Sequence, residues 1–305
     1  MKAVVTGGAG FIGSHLVDEL ISKGFDVHVI DNLTSGCIKN VHSQAVLHIE
    51  DIRSLEARKV IFEVRPDVVF HLAAQADVGK SIKEPNYDAS VNINGTINIL
   101  EASYLADVKK FVFASTSAVY GEFKTDLVSE NEATLPISYY GVSKLAAESY
   151  VRLFYDLYQM SYTILRFGNV YGPRQLPKGE GGVVAVFIDR LKNGEPLTIY
   201  GDGEQTRDFI FVNDVVRANL SAINRGHQEI LNVSTSRRIS INQLIHLLSE
   251  IHGNKIETVK ALRKEGDILH SCLNNKKAII SLDWNPSFFI YRGLEETYVY
   301  KVRRG

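Results

Sequence analysis

The sequence predicts an α/β fold built on a doubly wound parallel sheet, and three observations predict it. Short apolar runs alternate with amphipathic stretches through the first half of the chain. A glycine cluster joins the first apolar run to the first amphipathic stretch. The second apolar run ends at an acidic residue, Asp31.

The elements follow in order. Ala3 to Thr6 (AVVT) is apolar and ends in glycines, as a buried parallel strand does. From Phe11 to Ser22 the residues Ile12, Leu16, Leu20 and Ile21 recur at helical spacing, and Gly24 stops the helix. Val27 to Ile30 and Val46 to Ile49 are the second and third strands. Leu55 to Val64 reads as a helix that Pro66 stops, and Asp67 to Leu72 (DVVFHL) as the fourth strand. Ala89 to Tyr104 keeps one long helical pattern, and Lys110 to Ser115 (KFVFAS) is the fifth strand. Tyr140 to Tyr158 is a second long helix, followed by a sixth strand at Tyr162 to Arg166. Beyond residue 167 the pattern changes, with Gly, Pro and Asn clustered between Gly168 and Gly182.

Lys plus Arg number 34 and Asp plus Glu 35, a net charge of -1. No electrostatic attraction to nucleic acid or to an anionic membrane follows from that balance. No stretch reaches the 18 apolar residues of a membrane span. The opening MKAVVTGGAGFIG is too short in apolar run and too rich in glycine for a signal peptide. Two distant cysteines, Cys37 and Cys272, exclude a disulfide framework. A cytoplasmic protein without nucleic-acid or membrane partners is expected, and no metal site is read from the sequence.

The glycine loop carries the first chemical signal. Gly7-Gly8-Ala9-Gly10-Phe11-Ile12-Gly13 lies between strand and helix. Glycines there let backbone amides at a helix N-terminus approach a pyrophosphate. Asp31 is placed to accept hydrogen bonds from an adenosine ribose and to repel a 2′-phosphate, which favours NAD over NADP. A Rossmann-type domain is expected over residues 1–166, and a smaller α/β substrate domain over 167–305. Part of 207–233 is expected to return to the first sheet.

Tyr-x-x-x-Lys occurs at Tyr120/Lys124 and at Tyr140/Lys144. With 14 tyrosines in the chain the spacing arises readily by chance. Context separates the two. Tyr140 and Lys144 open a helical segment, where i and i+4 share a face, whereas Tyr120 leads into a polar loop. A phenol titrates near 10. A nearby ammonium favours the phenolate and makes the tyrosine usable as a general base. Ser115-Thr116-Ser117 ends the fifth strand, at the carboxyl edge where such sheets bind ligands. The plain alternatives are a surface Tyr/Lys pair and ordinary loop capping.

These residues together resemble the extended short-chain dehydrogenase/reductase family. The carriers are TGGAGFIG (Thr6 to Gly13), Asp31-Asn32, Asp51-Ile52, HLAAQ (His71 to Gln75) and STSAVYG (Ser115 to Gly121). YYGVSK (Tyr139 to Lys144), RFGNVYGP (Arg166 to Pro173), IYGDGEQTRDFIFVNDV (Ile199 to Val215) and EGD (Glu265 to Asp267) continue the series. Within that family the chain is similar to the UDP-glucose 4-epimerase group. The resemblance implies NAD held by Gly7, Gly10, Phe11, Ile12 and Gly13, with Asp31 and Asn32 at the adenosine ribose and Asp51 and Ile52 beside adenine. It implies a groove lined by Leu72, Ala73, Ala74, Gln75, Ser115 and Phe167 and supported by Asn92. Thr116, Tyr140 and Lys144 fall on the family's catalytic set. Asn169, Val183, Tyr200, Arg207 and Asp267 would meet a UDP-sugar, with Lys264 near the diphosphate. The family often has Arg at position 264; the lysine here keeps charge but loses the two-pronged fork. For Arg207 and Lys264 the plain alternative is a solvated surface charge.

Family members that eliminate water or decarboxylate carry an acidic residue just after the catalytic hydroxyl, where this chain has Ser117 and Ala118. Uronate epimerases tend to carry Thr at position 169 and a basic residue at 176, where this chain has Asn169 and Leu176. The expected reaction is therefore epimerisation at carbon-4 of UDP-glucose and UDP-galactose through a 4-keto sugar. Another sugar-nucleotide epimerase or a 4-ketoreductase is the alternative. Ser271 stands where the family's gate residue narrows the sugar pocket, which leaves room for an N-acetylhexosamine. Leu153, Phe154, Leu157 and Tyr158 exceed what one sheet contact buries, and a homodimer is expected.

Overall fold

The computed structural model describes residues 1–123, 125–177, 182–262 and 269–303. Among them the chain runs β1 (Lys2–Thr6), α1 (Phe11–Ser22), β2 (Asp26–Ile30), β3 (Val46–His48), α2 (Leu55–Val64) and β4 (Val68–His71). It continues through α3 (Val78–Lys83), α4 (Pro85–Ala89), a π-helical segment (Ser90–Gly95), α5 (Thr96–Leu105), β5 (Lys110–Thr116) and a 3₁₀ turn (Ser117–Tyr120). Then come α6 (Tyr139–Tyr158), β6 (Tyr162–Phe167), β7 (Asn169–Tyr171), α7 (Val183–Lys192), β8 (Leu197–Tyr200), β9 (Thr206–Arg207) and β10 (Phe209–Phe211). The last elements are α8 (Val212–Ser221), β11 (Glu229–Val233), β12 (Ile239–Ser240), α9 (Ile241–His252), β13 (Thr258–Ala261), α10 (Lys276–Leu282) and α11 (Ile290–Arg303).

Seven strands make one parallel sheet in the order β11-β6-β5-β4-β1-β2-β3. The strands are apolar because helices cover both faces. On one face Leu16, Val17 and Leu20 of α1 pack with Val215 and Val216 of α8 over Val5, Val29 and Leu165. On the other, Val60 and Ile61 of α2, Ile99 and Leu100 of α5, and Ala147 and Val151 of α6 cover Val4, Val69 and Phe111. Chain order reverses between β1 and β4, which are neighbours in the sheet. That is the switch point where doubly wound sheets open a crevice at their carboxyl ends.

The seventh strand comes late. After β6 the chain leaves the sheet and forms two-stranded pairs, β10 with β7 and later β12 with β9 and β13 with β8. Between them β11 returns beside β6. A third apolar cluster joins Val184 and Phe187 of α7, Leu244 and Leu248 of α9 and Leu294 of α11.

Helix starts follow side-chain capping. Ser54 accepts the Ala57 amide for α2, Ser138 the Gly141 amide for α6, and Ser240 with Gln243 forms a capping box for α9. The single helix expected over Ala89 to Tyr104 is corrected. Helix begins at Pro85, and a π-turn at Ser90–Gly95 interrupts it. A π-turn inserts one residue into the helical repeat, and such turns gather at functional sites.

Candidate active site

Strand register assembles the site. Thr6 lies opposite both Ile30 and His71, His71 opposite Phe113, and Thr116 opposite Phe167. The residues that follow β1, β2 and β4 therefore leave the sheet side by side. A cavity of about 360 Å³ occupies that edge.

Of the residues expected at a dinucleotide, Gly7, Gly10, Phe11, Ile12 and Gly13 line the cavity from the first loop, and Asp31, Asn32, Asp51 and Ile52 from the second and third strand ends. Leu72, Ala73, Ala74 and Gln75 line it after β4, Ser115 and Phe167 at the ends of β5 and β6, and Tyr140 and Lys144 from α6. Asn92 is buried behind the wall rather than in it. Its amide donates to the Gln75 carbonyl (2.9 Å), and its Oδ1 accepts the Gln75 N–H (2.8 Å).

The loop fits a dinucleotide. Gly7 has φ +71, and a Cβ on Gly13 would come within 2.1 Å of the Gly7 carbonyl oxygen, so neither position admits a side chain. A Cβ on Gly10 would meet only that same oxygen, at 3.1 Å, so its outer side is open. Gly10 caps α1 without a side chain, which leaves the first amides of the helix to face a phosphate. Asp31 holds the loop from below. Its carboxylate accepts the Ala9 amide at 2.9 Å and the Leu33 amide at 2.8 Å. Burial raises its pKa, against the two amides. Asp51 is held by the Arg53 fork at 2.7 and 2.8 Å and by Asn32 at 2.9 Å. The Arg53 hydrogen bonds hold its pKa down at about 2.

Tyr140 and Lys144 stand one turn apart on α6. Lys144 is 3% exposed, with Nζ 4.3 Å over the Phe113 ring. Burial lowers its pKa to about 8, while Glu148 and Asp88 pull it upward, so at neutral pH the ammonium still predominates. Between the pair, Ser143 donates to Asp88 at 2.5 Å and accepts from Asn92 at 3.0 Å. Asp88 also accepts from Gln75 Nε2 at 2.8 Å. One buried network thus ties the loop after β4 to the middle of the Tyr/Lys turn.

The two hydroxyls at the end of β5 are used differently. Ser115 donates to Glu148, which the Arg166 fork holds at 2.9 and 2.6 Å. Arg166 also donates to Tyr120 Oη at 2.9 Å, and Tyr120 donates to Asn232 at 2.8 Å. Thr116, half-buried, accepts the Ala118 amide at 3.1 Å. Tyr120 is therefore a buried structural residue, and its spacing partner Lys124 lies outside the described residues.

Among the described residues, Thr116, Asn169, Val183, Tyr200 and Arg207 are not in the wall of this cavity. Asn169 opens β7, Val183 opens α7, Tyr200 ends β8 and Arg207 ends β9. Arg207 Nη1 donates to the Thr206 carbonyl at 2.9 Å. Ser271 is 7% exposed, and its N–H donates to the Thr206 carbonyl at 3.2 Å. Lys264 and Asp267 lie outside the described residues, as do Arg263 and Glu265.

Sequence reading missed several wall residues. Thr34, Ser35, Lys80, Tyr87 and Val91 also line the cavity, and Leu176, which the resemblance had singled out, stands with them. Lys80 Nζ sits 4.2 Å over the Tyr87 ring. Only Thr34 and Ser35 carried a signal, as small polar residues directly after the Asp31 turn.

Comparison with known proteins agrees with this geometry. The profile of the NAD dependent epimerase/dehydratase family matches residues 3–234. A putative UDP-glucose 4-epimerase of Methanocaldococcus jannaschii is 45% identical over 294 residues, covering 96% of this chain and 95% of the relative. The crystal structure of a Thermotoga maritima UDP-glucose 4-epimerase with UDP-glucose superposes with TM-score 0.97 at 45% identity, over 100% of this chain and 99% of that one. A Thermus thermophilus UDP-glucose 4-epimerase in complex with NAD gives TM-score 0.93 at 38% identity, over 98% of each chain.

Proposed function

The chain belongs to the NAD dependent epimerase/dehydratase family, and from that premise we propose that it epimerises carbon-4 of a UDP-sugar, with UDP-glucose and UDP-galactose as the pair. NAD is its cofactor. The observation that carries the reading is the shared turn of Tyr140 and Lys144 in the wall of the dinucleotide groove.

In this reading the Tyr140 phenolate removes the proton of the sugar's 4-hydroxyl. Thr116 hydrogen-bonds the same oxygen. The Lys144 ammonium lowers the tyrosine pKa and holds the nicotinamide ribose. Bound in the groove, NAD would supply the hydride acceptor and donor for carbon-4. After the 4-keto sugar turns about its diphosphate link, Tyr140 gives the proton back, so the chain ends in its starting state. Arg207 is proposed for the diphosphate, Asn169, Val183 and Tyr200 for the rest of the nucleotide, and Lys264 and Asp267 for the diphosphate and the uridine ribose. Residues 1–166, with part of 207–233, form the proposed cofactor domain and 167–305 the proposed sugar-nucleotide domain.

Leu176 stands in the cavity wall as an apolar residue, which favours a neutral sugar over a uronate. Ser271, small and buried, favours acceptance of an N-acetylhexosamine as well. Incubation with UDP-galactose and UDP-N-acetylglucosamine, with products resolved, tests both. A net change in NADH absorbance would point instead to a ketoreductase. Leu153 and Leu157 are 47% and 62% exposed, and Tyr158 stacks on Tyr104 at 4.2 Å. These surfaces of α5 and α6 support a homodimer. Among the described residues no helix is long and apolar enough to cross a membrane.

A further inference from the structure

His71 ends β4 with its ring fully buried. For a neutral ring the four hydrogen bonds around it have one consistent direction. Thr96 Oγ1 donates to the Asn92 carbonyl at 2.7 Å, so toward His71 Nε2, 3.0 Å away, it acts as acceptor. The ring therefore carries its proton on Nε2. Its bare Nδ1 then accepts from Thr6 Oγ1 at 2.8 Å, and Thr6 Oγ1 accepts the Ala73 amide at 3.2 Å. The chain runs without a break: Ala73 N–H, Thr6 O–H, His71 Nε2–H, Thr96 O–H, Asn92 carbonyl.

Both ends of that chain belong to segments that form or back the groove. Thr6 precedes Gly7, whose α-carbon packs so closely on the Ala73 peptide that a Cβ would come within 2.7 Å of its nitrogen. Ala73 is in the wall. The Asn92 carbonyl belongs to the π-turn, and its side chain grips Gln75 and Ser143. Thr96 is the residue after that turn, and its hydroxyl donates to the Asn92 carbonyl four residues back. The opposite side of the ring excludes a second charge. His71 stacks on Phe113 (5.9 Å, 20°), and Lys144 Nζ lies over the same Phe113 ring.

We propose that His71 is a positioning residue for the cofactor, a permanently neutral imidazole with its proton on Nε2 that locks the glycine loop, the wall after β4 and the π-turn into one groove. This rests on the groove being the NAD site. Neutrality follows from the geometry: a proton on Nδ1 would turn the Thr6 hydroxyl away from the ring, its acceptor among the described residues, and place a cation beside Lys144.

Long-range ¹H–¹⁵N spectra of the unaltered protein read the tautomer directly. The neutral Nε2–H form is expected throughout pH 5 to 8, and a charged ring or the Nδ1–H form in that range overturns the proposal. Direct NAD binding, measured by calorimetry, supplies the second readout. Thr96→Val and His71→Asn each remove the Nε2 link and should weaken NAD by about tenfold, the cost of one buried hydrogen bond left open. His71→Gln keeps a donor near the Nε2 position and should recover most of that loss. Unchanged affinity in both Thr96→Val and His71→Asn overturns the proposal. If those variants fail to fold, the tautomer in the unaltered protein still decides. Failure of the unaltered protein to bind NAD would instead overturn the reading of the groove.

Discussion

Glu148 and Arg166 close a two-pronged ion pair from α6 to β6, one turn beyond Lys144, with both side chains almost wholly out of solvent. Taking two charges into the core is costly, and removing one leaves the other unpaired. Glu148→Leu should therefore destabilise the protein by about 3–5 kcal/mol in urea unfolding. The double variant Glu148→Leu/Arg166→Met should recover most of that. A double variant no more stable than Glu148→Leu alone would show that the pair does more than satisfy itself.

Tyr140→Phe removes the proposed base and leaves the glycine loop, Asp31 and Lys144 of the dinucleotide groove unchanged. Turnover should fall by at least about a hundredfold, with NAD still bound. Product formation from UDP-galactose and the bound-NAD content of the same sample check it. Full activity in this variant would end the epimerase assignment.

The Lys144 ammonium titrates near 8 in the buried groove. If its charge supports the Tyr140 phenolate, turnover should decline as pH rises through about 8. Lys144→Met should abolish that limb as well as most activity. A rate flat to well above pH 8 would remove Lys144 from the proposed role.

His71 titrates at about 3 in the folded chain against an ordinary 6.5, because burial and the neighbouring Lys144 disfavour its cation. Between those values the unfolded state binds the extra proton, so stability rises with pH. Its contribution is whole above 6.5 and shrinks on acidification toward 3, by up to about 1.4 kcal/mol per pH unit. Urea midpoints at pH 7, 6 and 5 measure the slope. Comparison with His71→Gln isolates the part due to this ring.

Leu153→Glu with Leu157→Glu places two charges on the exposed apolar side of α6. Sedimentation should show a dimer for the unaltered protein and a monomer for this variant. A monomer in both cases would mean these leucines face solvent for another reason.

Much of the architecture was readable from local pattern. Leu55–Val64 is bounded by Ser54 and by Pro66, and the helix occupies that span. The glycine loop and Asp31 were readable because backbone geometry restricts which residues fit there. The π-turn was not, since one inserted residue leaves apolar periodicity nearly intact. Its trace is the polar Asn92 and Thr96 inside an apolar face. Arg166 within YTILRF and Glu148 within an apolar helix were likewise visible as misfits, but their pairing is a tertiary fact. Asn169, Tyr200 and Arg207 sit on strands of two to four residues, too short for any periodicity, and pairing with distant segments places them.

Strand β11 carries a consequence for how the chain is made. β6 is buried along its whole length, and residues 229–233 pair with its outer hydrogen-bonding edge. During synthesis the first six strands emerge together, yet an apolar, unpaired edge stays open until the ribosome has passed residue 233. A fragment ending near residue 167 would keep the glycine loop and the Tyr/Lys turn but expose that edge. It should aggregate rather than serve as a minimal dinucleotide binder. Any attempt to excise the first half must therefore graft the returning strand back beside β6.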